Sequence, residues 1–300
     1  MTAVGPTGGT ARAWAELLRL PALFTVPGDA LAGAAATGAA PGRRTAWAVG
    51  ASLCLYEAGM TLNDWADREE DAVARPHRPL PSGRIRPGAA LAAAGALTAG
   101  GLAMAARARR PALAVALPLA ATVWAYDLRL KHTAAGPAAM AAARGLDVLL
   151  GAAATGGPVR RALVPAAVLG LHTGAVTLVS RRETEGGSST APLAALGVTA
   201  AVTAAVVGRR GAHDGPVRAV PGAARAALAA GYAGTVAPPL AHAVLHPSPV
   251  LTQRAVGAGI RGMIALQGGL AARAGQPGTG LLTAALAPLA ARLARTVSPT

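Results

Sequence analysis

Apolar segments long enough to cross a lipid bilayer recur along almost the whole of this 300-residue chain. A membrane-spanning helix needs about 20 consecutive, mostly apolar residues. By that measure the sequence predicts nine spans, at Ala22–Ala40, Thr45–Leu62, Gly88–Ala106, Pro111–Ala125, Ala134–Gly156, Ala162–Val179, Pro192–Gly208, Ala223–Leu245 and Val250–Ala272. The predicted fold class is therefore all-α, a polytopic membrane bundle in contact with the lipid bilayer.

The composition agrees with a membrane protein and limits its partners. Only 14% of the residues are charged, whereas a soluble domain carries about a quarter. The net charge is +15, but the arginines are spread over short loops and are not gathered on one aromatic-bearing module, so we expect no nucleic-acid partner. Anionic headgroups and a phosphorylated substrate are the better partners for this charge.

One short stretch, NDWADREEDAVARPHRPLPSGRIR at 63–86, contrasts with its apolar surroundings. Its acidic residues crowd into eight positions, although the chain has only 13 in total. Asn63, Asp67 and Asp71 recur at intervals of four, which places them on one face if the helix continues. Carboxylates in this arrangement repel one another, and a hard cation such as Mg²⁺ between them would remove the repulsion.

Arginines follow these acids in a segment that its prolines prevent from remaining helical. Arg75 and Arg78 lie within it, and the guanidinium group suits bidentate contacts with phosphate. Metal-binding acids next to arginines therefore predict a site for a diphosphate group.

The string Asn63-Asp64-x-x-Asp67-x-x-x-Asp71, followed by RPHRPLPSG, resembles the first signature of the UbiA superfamily of intramembrane prenyltransferases. Leu18-Arg19-Leu20-Pro21 is similar to the family's R-x-P entry, and Tyr126 to Lys131 to its Y-x-K element. The resemblance spans nearly the whole chain. It implies a single domain over residues 1–300, with nine helices around a central cavity and polar loops at its cytoplasmic end, in the plasma membrane of a bacterium.

The family's second aspartate-rich loop follows the sixth span and usually reads DxxxD, but this chain has no Asp there. It reads Ser180-Arg-Arg-Glu183-Thr-Glu185-Gly-Gly, so Glu183 and Glu185 are the remaining candidate metal ligands and Arg181 is a candidate diphosphate ligand. This variant is similar to a divergent bacterial subgroup that lacks the second motif. The usual quinone and haem acceptors are therefore not assumed, and the small acceptor stays unknown.

The resemblance also implies roles for individual residues. Mg²⁺ would bind Asn63, Asp67 and Asp71, and the diphosphate would contact Arg19, Arg75, Arg78, Arg181 and Lys131. The residues assigned to catalysis are Asp67, Asp71, Tyr126 and Lys131. By position alone, Tyr126 and Lys131 could instead be interfacial anchors.

Four charged residues inside apolar spans are candidates for the acceptor site or the cavity wall: Asp29, Glu57, Arg144 and Asp147. Charges at this depth are costly and usually functional. Arg144 and Asp147, three residues apart, could also simply neutralise each other.

The predicted function is Mg²⁺-assisted transfer of a polyprenyl or diterpenyl group from its diphosphate to a small acceptor. Two alternatives remain open at this point. One is a terpene cyclase on the same scaffold, against which the low aromatic content of 3% counts, because few rings are available to stabilise a carbocation. The other is a carrier that binds a lipid diphosphate without turnover.

Overall fold

The computed structural model describes residues 6–18, 24–182, 186–208, 222–286 and 288. Within these ranges the chain is mainly helical. The helices are α1 (Pro6–Leu17), α2 (Pro27–Ala36), α3 (Arg43–Ala66), α4 (Arg68–Ala74), α5 (Pro87–Ala108), α6 (Arg110–Ala125), α7 (Gly136–Thr155), α8 (Leu163–Ser180), α9 (Thr190–Val207), α10 (Gly222–Leu245), α11 (Pro249–Arg273) and α12 (Pro277–Ala284). A π-helical turn, Tyr126–Leu130, extends α6, and a 3₁₀ turn, Val159–Ala162, precedes α8.

The prediction of an α-helical membrane bundle is confirmed. Six helical segments in the described ranges are long and apolar enough to cross a membrane: Pro87–Ala108, Arg110–Leu130, Gly136–Thr155, Val159–Ser180, Thr190–Val207 and Pro249–Arg273. The other three predicted spans correspond to α2, α3 and α10. The first is only 10 residues long in its described part, α3 carries Glu57 and Asp64, and α10 contains two prolines.

Glycine lets neighbouring helices pack closely, as is usual in lipid. A methyl group at Gly33 of α2 would overlap the carbonyl oxygen of Val148 on α7, and one at Gly151 of α7 would overlap the backbone of Ala30. These two helices are therefore in backbone contact. On the other side of the bundle, a methyl group at Gly262 of α11 would overlap Val236 of α10.

The segment from 75 to 86 forms a cap against α1. Leu80 and Ile85 are buried in a small apolar cluster with Ala13 and Leu17 of α1. Gly83 adopts φ +73, a value that glycine reaches without steric cost, and so the chain can turn back towards α5. The apolar contacts hold the arginines of this segment over the end of α3.

Candidate active site

The acidic stretch lies where α3 gives way to α4. Asp67 is the residue between the two helices, with φ −89 and ψ 4. The backbone N–H of Asp67 donates to Asn63 O at 2.9 Å, and that of Asp71 donates to Asp67 O at 2.8 Å. Hydrogen bonds from an N–H to the carbonyl oxygen four residues earlier therefore continue across the junction of α3 and α4. They link the backbones of the three predicted metal ligands, Asn63, Asp67 and Asp71.

Arg78 pairs with two of the buried acids. Its Nη1 lies 2.7 Å from Asp71 Oδ2 and 3.4 Å from Asp64 Oδ1. Arg75 lies 3.5 Å from the other oxygen of Asp71. The side chains of Asp64 and Asp71 are 6% and 4% exposed, so their charges are largely removed from water and the arginines compensate them.

Lys131 forms an ion pair with Asp67. It directly follows the π-helical turn, whose last hydrogen bond runs from Lys131 N to Tyr126 O at 2.9 Å. A π turn holds one residue more than an α turn, and such turns are frequent at functional sites. Here the turn directs Lys131 back across the site towards α3.

Asp127 in the same turn was given no role by the sequence, yet it is a central member of the site. It is 5% exposed, and its Oδ1 accepts a hydrogen bond of 3.1 Å from Asn63 Nδ2. This bond fixes the amide of Asn63, and the amide's carbonyl oxygen is left for another partner. An acid directly after Tyr126, at the end of the apolar helix α6, is the signal that could have identified it.

The loop after α8 contributes Arg181, which donates hydrogen bonds to the backbone carbonyls of Thr133 and, at 3.4 Å, Lys131. Gly187 N donates to Pro247 O at 2.8 Å, which joins this loop to the one before α11. The segments that follow α3, α6, α8 and α10 are therefore connected to one another by polar contacts. Arg19, Glu183 and Glu185 lie outside the described residues, so their roles stay predictions.

At the edge of the site, Arg84 Nη1 lies 2.6 Å from Glu16 Oε2 of α1. Burial raises the pKa of Glu16, but its hydrogen bonds to Arg84 and Arg12 outweigh this effect, and the pKa lies below its usual value. The contact joins α1 to the arginine segment.

A cavity of about 440 Å³ opens from the site into the bundle. Asn63, Tyr126 and Asp127 line its mouth. Its walls are largely apolar and include Leu55, Met60, Leu119, Val123, Val176 and Met263. Both its size and its lining suit a small ligand with an apolar part and a polar end.

The inner end of the cavity is polar, and the predicted pair Arg144 and Asp147 both line it. They do not simply neutralise each other, because Arg144 forms an ion pair with the fully buried Asp29 of α2, and Asp147 Oδ2 accepts a 2.6 Å hydrogen bond from Ser52. Gln267 Nε2 donates to Asp29 at 2.8 Å. Glu57 is buried in α3 but is not among the described residues that line the cavity.

The donor set at the mouth fits a hard divalent ion. Carboxylate and amide oxygens dominate it, which is the ligand type that Mg²⁺ requires. The carboxylates of Asp67 and Glu70 and the imidazole of His132 also lie within 4.8 Å of one another, but His132 and Glu70 are exposed. Lys131 follows the turn that carries the mouth residues Tyr126 and Asp127, and Arg78 pairs with Asp64, the neighbour of Asn63. These groups beside the mouth can hold a diphosphate, and the apolar cavity can hold its hydrocarbon.

The model of the UbiA prenyltransferase family matches residues 22–244 of the chain. A digeranylgeranylglyceryl phosphate synthase from Halobacterium salinarum is 33% identical over 192 residues, which cover 63% of this chain and 69% of the relative. The same enzyme from Methanopyrus kandleri is 39% identical over 127 residues, but the match spans only 45% of its length and 41% of this chain.

Solved structures show the same fold. A digeranylgeranylglyceryl phosphate synthase superposes with a TM-score of 0.63 at 17% identity, over 89% of this chain and 99% of that one. A UbiA homologue from Archaeoglobus fulgidus bound to GPP and Mg²⁺ superposes with a TM-score of 0.60 at 14% identity, over 84% and 99% of the two chains.

Proposed function

This chain belongs to the UbiA prenyltransferase family, and we propose that it is an integral membrane, Mg²⁺-dependent prenyltransferase. It moves a prenyl group from a prenyl diphosphate to a small acceptor. The observation that carries this proposal is the cavity, whose mouth is formed by Asn63, Tyr126 and Asp127 beside the Asp67–Lys131 ion pair, and whose walls are apolar. Such a cavity provides separate places for the diphosphate and for the hydrocarbon.

Asn63, Asp67 and Asp71 would hold the metal ion. When bound, Mg²⁺ neutralises phosphate oxygens, so that pyrophosphate becomes a better leaving group. Lys131 and Arg78 already lie against the acids, and they would bind phosphate oxygens of the donor at the same place. Arg19, Arg75 and Arg181 are proposed to complete the contacts with the diphosphate.

Departure of pyrophosphate leaves positive charge on the allylic carbon, which the acceptor then attacks, and the proton that the acceptor loses passes to the released pyrophosphate. The phenol of Tyr126 and the carboxyl of Asp127 line the mouth of the cavity together with Asn63, a proposed metal ligand. Tyr126 is proposed to lie next to this carbon and to orient the acceptor. Arg144 and Asp147 line the opposite end, and the apolar wall keeps water from the cation.

The same proposal covers the chain as a whole. Residues 1–300 form one prenyltransferase domain in the plasma membrane of a bacterium, with the loops of the site on the cytoplasmic side. Substrate that is soluble in lipid reaches the cavity from the bilayer. The names of the curated relatives make a prenylated phosphoglycerol one acceptor to try first.

The test is release of pyrophosphate from a prenyl diphosphate by the purified protein, with and without Mg²⁺. Asp67→Ala should lower the rate of pyrophosphate release at least about 100-fold. The reason is that it removes a proposed ligand of the Mg²⁺ ion that would stabilise the negative charge on the departing pyrophosphate. Glu69→Ala is the matched control, since the Glu69 side chain is 85% exposed and, within the described residues, its ion pair is with the neighbouring Arg68. Tight binding without turnover by the unaltered protein would favour a carrier, and a hydrocarbon product formed without acceptor would favour a cyclase.

A further inference from the structure

A second cavity lies at the end of the bundle opposite the candidate active site. Its volume is about 440 Å³, and it is bordered by the start of α3, the end of α5 and the last residue of α7. Its lining includes Arg43, Arg44 and Trp47 of α3 and Arg107 of α5. Arg43 and Asn63 are twenty positions apart on α3, so the two cavities open about 30 Å apart along this helix.

The arginines of this second cavity have no carboxylate beside them. Among the described residues, the acids lie at the active-site end of the bundle or inside the spans, and none lies in the segments around this cavity. The active-site end differs in this respect, because Arg78 pairs there with Asp71 and Arg84 with Glu16. Guanidinium groups gathered without acids repel one another, and an anion between them removes the repulsion.

Two guanidinium groups are held in place by contacts within the protein. Cζ of Arg107 lies 5.7 Å from the centre of the Trp47 ring, which is within the range of a cation–π contact. Arg109 packs against Gly156, where an added methyl group would overlap the guanidinium group. Gly156 directly follows Thr155, a lining residue of the cavity. Positive charge is therefore arranged at the cavity before any ligand binds, which lowers the entropic cost of binding.

The cavity lies at the level where lipid headgroups meet the bundle. Helices α5 and α6, which end and begin next to it, are both long and apolar enough to cross a membrane. The ends of such helices lie at the membrane interface, where Trp is enriched. Ala96, Ala99 and Ala103 are exposed along the face of α5 that leads to Arg107. A ligand with its phosphate in the cavity could therefore place a hydrocarbon chain along this face.

We propose that the second cavity binds the phosphate group of an anionic phospholipid in the membrane leaflet opposite the active site. Arg43, Arg44 and Arg107 bind the phosphate oxygens, since the guanidinium group suits bidentate contacts with phosphate. An acyl chain lies along the exposed alanines of α5. A lipid fits this position better than a soluble phosphate compound, because only the lipid also occupies the apolar face. This site is separate from the proposed function and needs neither a prenyl diphosphate nor Mg²⁺.

The experiment measures lipid binding to the purified full-length protein in detergent by native mass spectrometry. Phosphatidylglycerol is compared with phosphatidylcholine, which carries the same phosphate but has no net charge. We expect phosphatidylglycerol to bind at least about 10-fold more tightly. Equal binding of the two lipids would overturn the proposal. Displacement of phosphatidylglycerol by an equal concentration of glycerol phosphate would also overturn it, because the cavity would then bind the phosphate without the lipid.

A matched pair of double variants locates the lipid. Arg43→Gln with Arg107→Gln removes two charges from the cavity, and we expect it to weaken phosphatidylglycerol binding at least about 10-fold. Arg160→Gln with Arg161→Gln removes two charges from the same end of the bundle, at exposed positions that do not line the cavity. It should leave the affinity within about twofold. Equal losses in both double variants would overturn the site, and the lipid preference of the unaltered protein tests the proposal even if a variant does not fold.

Discussion

Asp67 and Asp71 each have a cationic partner within the protein. Lys131 pairs with Asp67, and Arg78 lies 2.7 Å from Asp71. Two carboxylates four residues apart repel one another, and the two cations offset this repulsion. Guanidinium and ammonium groups also bind phosphate well, so in the proposed function the binding of a diphosphate with its metal would exchange these ion pairs for new ones.

Lys131 offers a direct test at this scale. Lys131→Met keeps the length of the side chain but removes its charge, and a hydrogen bond to a charged group contributes about 1.5–3 kcal/mol. We expect KM for the prenyl diphosphate to rise about 10-fold to 100-fold, measured by pyrophosphate release. Arg129→Met, at an exposed position in the adjoining turn, should leave KM within about twofold. An unchanged KM in Lys131→Met would exclude Lys131 as a diphosphate ligand.

The spacing of Asn63, Asp67 and Asp71 predicts one metal site, and the resemblance to the family adds Lys131, which the structure brings to this stretch as the ion-pair partner of Asp67. It did not reveal the role of Asp127, whose importance comes from a hydrogen bond to Asn63 that joins residues 64 positions apart. The sequence likewise did not reveal the ion-pair partner of Arg144. A local i, i+3 contact with Asp147 is visible in the sequence, whereas the ion pair with Asp29 depends on how α2 packs against α7.

At the scale of elements, the π-helical turn Tyr126–Leu130 positions the polar groups at the mouth of the cavity. Removing Leu128, which is 43% exposed, would convert the turn to α geometry and rotate Tyr126 and Asp127 by about 100° relative to Lys131. We expect the loss of at least about 99% of pyrophosphate release with unchanged helix content by circular dichroism. Leu128→Ala keeps the extra residue and should retain activity. Full activity after the deletion would show that the turn is dispensable.

The contact between α2 and α7 gives a prediction about stability. Gly33→Ala places a methyl group against the carbonyl oxygen of Val148, and we expect a loss of about 1–3 kcal/mol and a lower Tm in detergent. Gly197 on α9 has no atom within 4 Å of an added methyl group, so Gly197→Ala should leave Tm unchanged or raise it. A Tm for Gly33→Ala equal to that of the control would mean that α2 and α7 separate without cost.

Hydropathy predicted the positions of the long helices better than their ends. The predicted span Ala22–Ala40 corresponds to a helix of 10 described residues, Pro27–Ala36, because Pro27 favours a helix start and the chain turns at Gly38 with φ +83. The predicted continuous helix through Asp71 divides at Asp67. The hydropathy profile does not change where α2 begins and ends or where α3 divides from α4. Hydropathy alone therefore could not have indicated these helix ends.

At the scale of the whole molecule, the proposed orientation of the bundle places the site on the cytoplasmic side of the membrane. Helix α3 runs about 36 Å from Arg43 to Ala66, so Arg44 and Glu69 lie at opposite ends of the bundle, and both are exposed. In a Cys54→Ala background, a single cysteine replacing Arg44 should react with a membrane-impermeant maleimide in intact cells. One replacing Glu69 should react only after lysis. The reverse pattern would place the site outside the cell.

The ion pairs next to the mouth of the cavity bear on whether the protein needs magnesium in order to fold. Because Arg78 and Lys131 already compensate Asp71 and Asp67, a newly made chain can complete its fold before any magnesium arrives. Chelation with EDTA should then stop turnover without melting the bundle, and adding the ion back should restart it. Enzyme output could in this way follow the supply of magnesium and substrate with no need for fresh synthesis.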